Sequence, residues 1–391
     1  MTPVASTAMP FVRDRFTWSA YFLLAYYAYL QASLGPLMVF LREELRLNYT
    51  VSGFHLSAFA LGMVLAGLGG ERFAARWGRS TIFWAGGGGM AAGAVLLALG
   101  QTPFITVAAT LIMGFVGSLL LVMIQATLAD RHGNRRASAL TESNLAASML
   151  AGLAPLAVGL GQAVGLGWRS ALFAGAGIWV VLVATFRNEP IPSEGQVTHR
   201  IDGASDVSLS PVFYLYWLVI FFSVSVEWCM VFWGASFLED VVGLNKAIAS
   251  STMFVFFLAV VAGRVGGSWL VRVVRSERLL ILAIGLVLVG FPCFWLGEFA
   301  LLNVVGLFIV GLGVANLFPL GLSAASSTGH AHSNKVSARI SLAAGAAILV
   351  VPQGLGAAAD QIGVQNAYAV VAVFSVLSAI MIVIAFRVAT R

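Results

Sequence analysis

Charge is scarce in this chain. Only 10% of its 391 residues are Asp, Glu, Lys or Arg, against about a quarter in a soluble domain. So few charges cannot cover a water-facing surface, which excludes a soluble globular fold and a disordered chain alike. Cysteine is almost missing: Cys229 and Cys293 each sit inside an apolar run, and two such residues make no disulfide scaffold. The glycine run 86–89 is followed by no Lys-Ser/Thr and lies in apolar sequence, so it is a packing feature and not a phosphate loop. No His-Glu-x-x-His pattern or repeated aspartate motif occurs. His330 and His332 offer two ligands in a loop, too few for a metal site. These absences argue against an ATP-driven pump and a membrane enzyme, and no cofactor or metal is expected.

What the chain has is apolar length. AVILMFWYC residues make up 60% of it, with 42 glycines besides. A bilayer-spanning helix needs about 20 mostly apolar residues. Twelve such stretches occur, at 17–41, 52–74, 81–100, 104–129, 138–164, 168–186, 212–238, 247–271, 279–296, 299–325, 336–359 and 366–386. They are continuous and not alternating, so they read as helices and not as barrel strands. The expected fold is an all-α integral membrane protein with 12 transmembrane helices. The first sixteen residues are polar and lead into an apolar run longer than a signal-peptide core, so that run reads as a retained first helix. The longest polar stretch, 188–211, carries Pro190, Pro192, Glu194, Asp202 and Asp206 and reads as a linker. It separates a six-helix bundle at 1–187 from a second at 212–391.

The cations set the orientation. With the N-terminus inside and the spans alternating, 17 of the 22 Lys and Arg residues fall on the cytoplasmic side. Four fall on the other side (Arg42, Arg46, Arg169 and Lys246), and Arg264 lies within a span. This bias matches the positive-inside rule and places both termini and the linker in the cytoplasm of a cell (inner or plasma) membrane. It also accounts for the net charge of +6 without any nucleic-acid partner. The halves repeat. At an offset of 196, Ala66, Gly67, Gly70, Arg76, Arg79 and Ser80 meet Ala262, Gly263, Gly266, Arg272, Arg275 and Ser276. At 197, Gly114, Pro155 and Gly159 meet Gly311, Pro352 and Gly356. Two parallel six-helix pseudo-repeats are a transporter architecture.

The loop after the second helix reads Glu71-Arg72-Phe73-Ala74-Ala75-Arg76-Trp77-Gly78-Arg79-Ser80. Its Arg76, Gly78 and Arg79 resemble the loop signature of the major facilitator superfamily, and the resemblance extends over nearly the whole chain through the 6+6 pattern and the central loop. It implies a cavity lined by helices 1, 4, 7 and 10 and a gate at the cytoplasmic face. The signature's acidic position is Ala75 here. The degenerate second copy, Gly267 to Arg272, also lacks the acid. Glu71 stands one turn away as a replacement, and Arg76 and Arg79 are expected to cap helix-end carbonyls. A shorter resemblance, in Val226-Glu227-Trp228 with Trp233 and in Gly311 to Pro319, is to fucose-permease-like members.

A carboxylate at mid-bilayer costs about 2.5–3.5 kcal/mol even on lenient scales, so buried charge is read as functional first. Two acids fall well inside spans: Glu227 and, nearer a helix end, Glu142. Glu227 is the candidate proton carrier or substrate contact. Glu142 is the second candidate, expected to pair with Arg131, Arg135 or Arg136. Tyr27, Gln31, Gln125, Asn144, Trp228, Trp233 and Asn316 are cavity candidates. Glu71, Arg76, Gly78, Arg79, Arg264 and Arg272 are the cytoplasmic gate candidates. A lone buried carboxylate with no oxygen-rich cage suits protons better than sodium. The expectation is a monomeric secondary active transporter of a small organic solute, working by alternating access with proton coupling. A multidrug exporter remains open within that class, and a polytopic enzyme or channel outside it. Single cysteines placed at 130–136 or 188–211 in a cysteine-free background should react with an impermeant thiol reagent only from the cytoplasmic side. Labelling from outside would overturn the topology.

Overall fold

The computed structural model describes residues 11–192, 210–327 and 333–389. Among them every regular element is a helix. In chain order these are α1 (Arg15–Glu44), α2 (Tyr49–Trp77), α3 (Arg79–Leu99), α4 (Pro103–His132), α5 (Arg136–Ala163), α6 (Ser170–Phe186), α7 (Pro211–Asp240), α8 (Lys246–Leu270), α9 (Ser276–Leu296), α10 (Ala300–Ser327), α11 (Ser333–Ile362), α12 (Val364–Ala367) and α13 (Ala369–Ala389). Among the described residues, ten stretches are long and apolar enough to cross a membrane. One of them, Pro103–Ala163, contains both α4 and α5, folded apart at the 3-10 turn Gly133–Arg135, and Ser170–Phe186 is a shorter apolar helix. Each apolar stretch marked in the sequence falls on a helix. The last is broken at Tyr368 into the short α12 and α13.

Local chemistry sets the starts and stops. Asp14, Asn48, Thr102, Ser210 and Asn245 each accept a hydrogen bond from an amide of the first turn that follows, the arrangement that satisfies orphan helix amides. Pro103 and Pro211 open α4 and α7, where a missing N–H costs nothing. Gly78, at φ 79°, parts α2 from α3 in a conformation that a side chain would strain.

Contacts at the helix ends define two faces. At the near face, where α1 begins, Asp14 meets Arg131 at the end of α4, at 2.6 Å. At the far face, where α1 ends, Arg42 meets Asp240 at the end of α7, also at 2.6 Å. Between the faces, α1 packs on α5, α2 on α4, α9 on α10 and α7 on α13. Three further contacts, α5 with α8, α2 with α11 and α1 with α7, join the first six helices to the rest. Apolar side chains such as Leu68 and Phe104 stand outward, the surface a lipid solvent requires.

The repeated glycines have equivalent jobs. A Cβ on Gly114 of α4 would run into the Phe59 backbone of α2, and one on Gly311 of α10 into the Phe256 carbonyl of α8. Phe59 and Phe256 are themselves 197 apart. Gly159 lets α5 reach the Ala247 carbonyl of α8, and Gly356 lets α11 reach the Tyr49 carbonyl of α2. Close backbone approach of this kind drives helix association where lipid offers no hydrophobic contrast. Gly114→Ala should therefore cost about 1–3 kcal/mol, the range for overpacking. Gly177→Ala, where a Cβ meets nothing within 4 Å, should be near neutral. Thermal unfolding of the two purified variants in detergent compares them directly; equal melting temperatures would show that the α2–α4 approach does not support the fold.

Candidate functional site

A cavity of about 760 Å³ lies between α5, α7, α8, α10 and α11. Glu227 and Trp228 of α7, Arg264 of α8, Asn144 and Thr141 of α5, and Asn316 and Phe318 of α10 line it. Glu227 is about 24 Å along α7 from Pro211 at 1.5 Å per residue, a little past the middle of a 30-residue helix. From that depth the lining descends to Val271, Ser276 and Ser323, at the near ends of α8, α9 and α10. The cavity therefore reaches the near face. Glu227 and Arg264 are its ionisable lining residues.

Packing fixes the wall. Asn316 donates to the Gly263 carbonyl at 2.7 Å, and a Cβ on Gly267 would strike the Asn316 amide. The two glycines thus dock α10 on the turn of α8 that carries Arg264. The Arg264 guanidinium itself donates to the Ser148 hydroxyl of α5. Asn144 spends its amide on the Leu140 carbonyl at 2.7 Å, one turn back in α5.

The far face is closed by contacts that cross between early and late helices. Arg42 pairs with Asp240 at 2.6 Å and Glu239 at 3.4 Å, and its guanidinium lies 4.2 Å from the Tyr49 ring centroid. The Tyr49 hydroxyl donates to Asp240 at 2.5 Å. Lys246 pairs with Glu43. Asp360, near the end of α11, accepts the amides of Tyr49 and Thr50, each at 2.8 Å, and the Thr50 hydroxyl at 2.5 Å. Below this layer Ser250 donates to the Pro36 carbonyl, Ser57 to the Leu349 carbonyl and Gln353 to the Thr50 carbonyl. Backbones nearly touch where Gly35 of α1 meets Val231 and Phe232 of α7.

Near-face ion pairs are different: Arg275 with Glu277 stays within the later helices, and those of Arg13, Arg79 and Arg131 join parts of the first half. Arg13 pairs with Glu142 at 2.6 Å and Arg79 with Asp130 at 2.6 Å, beside the Asp14–Arg131 pair. Burial works against the Asp14 charge, but the Thr17 hydroxyl and amide and the Arg131 guanidinium outweigh it and hold its carboxyl below the usual range.

Several expectations need correction. Glu142 pairs with Arg13 and accepts from the Tyr21 hydroxyl at 3.2 Å, not with Arg131, Arg135 or Arg136. Arg79 caps no helix-end carbonyl; it holds the Asp130 carboxylate, so α4 supplies the acid that the loop lacks. Helices 1 and 4 contribute no residue to the described cavity lining. Tyr27 is buried in α1, with Gln31 Nε2 at 3.4 Å from its hydroxyl, and Gln125 is exposed on α4. Trp233 is buried and donates to the Pro352 carbonyl at 2.7 Å, against Gly356 in the closed far-side layer. Arg76 and Arg272 are exposed at the near face, and Gly78 is the break between α2 and α3. Glu71 falls within α2, its side chain outside the described residues, as are His330 and His332. Asp360 and the far-face layer went unread in the sequence. The available signal was acids at helix ends beside the few cations of that side: Glu43, Glu44, Glu239 and Asp240 near Arg42 and Lys246.

The family model for the Major Facilitator Superfamily matches residues 17–333. A Yersinia pestis protein described as an uncharacterised MFS-type transporter is 24% identical over 358 residues, 87% of this chain and 88% of the relative. Among solved structures, a bacterial homologue of the human lysosomal transporter Spinster, inward-facing and occupied, superimposes with a TM-score of 0.77 at 14% identity, over 97% of this chain and 98% of that one. The nucleoside transporter NupG gives 0.72 at 14%, over 96% and 99%. A D-xylose-proton symporter gives 0.74 at 13%, over 94% and 96%. At these identities the structural likeness is one of fold. With a matching family model over most of its length and transporters as relatives, the chain is a membrane transporter and not an enzyme, and it belongs to the Major Facilitator Superfamily.

Proposed function

We propose that this secondary transporter moves a small organic solute by alternating access, with protons as the coupling ion and Glu227 as the group that carries them. The placement of Glu227 carries the reading. It is an acid in the middle of a long apolar helix, at the wall of a cavity that reaches one face and is shut from the other. In this reading the chain crosses the membrane twelve times: α4 and α5 are separate passes, Ser170–Phe186 is another, and α12 with α13 makes the last. Residues 1–187 and 212–391 are the two moving bundles, with 188–211 as their cytoplasmic tether. The near face is cytoplasmic, and the conformation described is open to the cell interior.

The chemistry follows from the geometry. A carboxyl group at that depth is stable when protonated and is stable ionised only with water or a cation beside it. Rocking the bundles changes which face supplies the water, so one group exchanges its proton with each side in turn. The far-side layer holds the present state through the Arg42–Asp240 pair and the Asp360 bridge, and its parting would open the other side. On the near side, Arg79 with Asp130 stiffens the α3–α4 corner beside the Gly78 break, while Arg76 and Arg272 are placed to meet the opposing bundle on closure.

Glu227→Gln keeps the size of the side chain and removes its proton. In proteoliposomes, with a radiolabelled solute that the parent protein concentrates, this variant should still exchange solute across the membrane at zero gradient. Uphill accumulation driven by a pH gradient should fall to the background of empty vesicles. Accumulation at the parent level would show that Glu227 is structural.

A further inference from the structure

Resting on the reading of this cavity as the transport site, we propose that the solute is an organic monocarboxylate with an apolar, ring-sized body, and that the Arg264 guanidinium holds its carboxylate.

The first argument is the tally of partners. Arg13, Arg42, Arg79, Arg131 and Arg169 each have a carboxylate: Glu142, Asp240, Asp130, Asp14 and Glu44. Arg264 lies deeper than any of these, six residues inside the end of α8. Among the described residues no carboxylate lies within salt-bridge reach of it, and the Ser148 hydroxyl takes one of its five N–H groups. A guanidinium is costly at that depth. Asn316, Gly263 and Gly267 nonetheless hold its helix turn at the cavity wall, and its side chain stays accessible there. A charge kept open, in a fixed position and with no carboxylate in contact is a receptor for an anion, and the planar fork of Arg matches a carboxylate.

The second argument is charge balance. With Glu227 ionised the lining is neutral, and with Glu227 protonated it carries one positive charge. A proton on Glu227 and an anion on Arg264 therefore favour each other, and the coupling is reciprocal. Charge enters and leaves as a neutral pair, which lowers the electrostatic cost of crossing hydrocarbon. A dianion would leave one charge uncompensated, and an amine would face Arg264. At the mouth, Arg275 and Glu277 flank Ser276 and lie 3.6 Å from each other, and Arg272 is exposed beyond Val271, so these charges do not enter the lining. The third argument is shape. Trp228, Phe318, Val314 and Ile348 form an apolar wall beside the two charges. The volume of about 760 Å³ suits a small solute with room for water.

The test uses the purified full-length protein in detergent, with melting temperature and equilibrium affinity as readouts. Benzoate, phenylacetate and hexanoate are the probes; benzamide, phenylacetamide and phenethylamine are the controls, at pH 8 and pH 6. The carboxylates should raise the melting temperature, and the amides and the amine should not. Because a proton on Glu227 and an anion on Arg264 favour each other, affinity should tighten several-fold as the pH is lowered from 8 to 6, a range in which the probes stay ionised. Arg264→Gln should weaken carboxylate binding about ten- to a hundredfold. Arg264→Lys, which keeps the charge, should retain part of it. In Glu227→Gln the affinity should no longer depend on pH. Amides or the amine stabilising as well as the acids, no stabilisation by any acid, or parent-level binding in Arg264→Gln or an unweakened Arg264→Lys would each overturn the proposal. Should Arg264→Gln fail to fold, the acid–amide comparison and the Lys variant still decide. Arg264-dependent carboxylate binding alongside undiminished pH-driven accumulation in Glu227→Gln would refute the proton role alone. The reverse pattern would refute the carboxylate alone.

Discussion

Hydrocarbon does not tolerate charge, and the arrangement of this molecule follows from that constraint. The sequence holds only 38 Asp, Glu, Lys and Arg residues, and those among the described residues go to three places. Most sit at the two faces, where water or an opposite charge is at hand. A smaller set is bound into ion pairs at helix ends, such as Arg79 with Asp130 and Arg42 with Asp240. Glu227 and Arg264 are left over, and they line one cavity. Excluding charge from the lipid concentrates what remains where a solute can meet it.

The two faces use their charges differently. On the near side the pairs of Arg13 with Glu142, Asp14 with Arg131 and Arg79 with Asp130 stay within the first half of the chain. On the far side the same kind of pair ties α1 to α7 and α8. Glycine makes the second arrangement geometrically accessible. Gly159 and Gly356, 197 residues apart, let α5 meet α8 and α11 meet α2 almost at van der Waals contact of their backbones. A contact built of backbone atoms and a few surface charges is weak enough to part and specific enough to re-form, unlike an interlocked core of large side chains.

The helices were legible because long apolar runs have one stable form in lipid. Their ends were not, because the apolar criterion stops at the first charge while the helix continues through it. The run read as 17–41 is helical to Glu44, and the extra turn is the one that carries Arg42 to Asp240. Glu227, Trp228, Asn144, Arg264 and Asn316, named from sequence, do come together in the lining of one cavity. Trp233 does not. It lies five residues beyond Trp228, about 140° around a helix with 3.6 residues per turn, and so faces α11. The partners of Glu142 and Arg79 were unreadable for a different reason. Arg13 and Asp130 are 129 and 51 residues away in the chain, and a pattern within one helix carries no information about which neighbour packs against it.

The bridge made by Asp360 has an implication of another kind. The first turn of α2 is capped in two instalments. Asn48, its own neighbour, takes the Val51 amide, while Asp360, 310 residues away, takes those of Tyr49 and Thr50. A helix start normally draws its acceptors from the segment just before it; here two of these three amides find theirs in a separate part of the chain. In the proposed alternating-access cycle, the first turn of α2 then keeps all of these acceptors only while the far side is shut. When the far side parts, two amides lose their acceptor and must take water in its place. The exchange protection of two backbone protons thus becomes a local record of a global state, written at a site that no solute needs to touch.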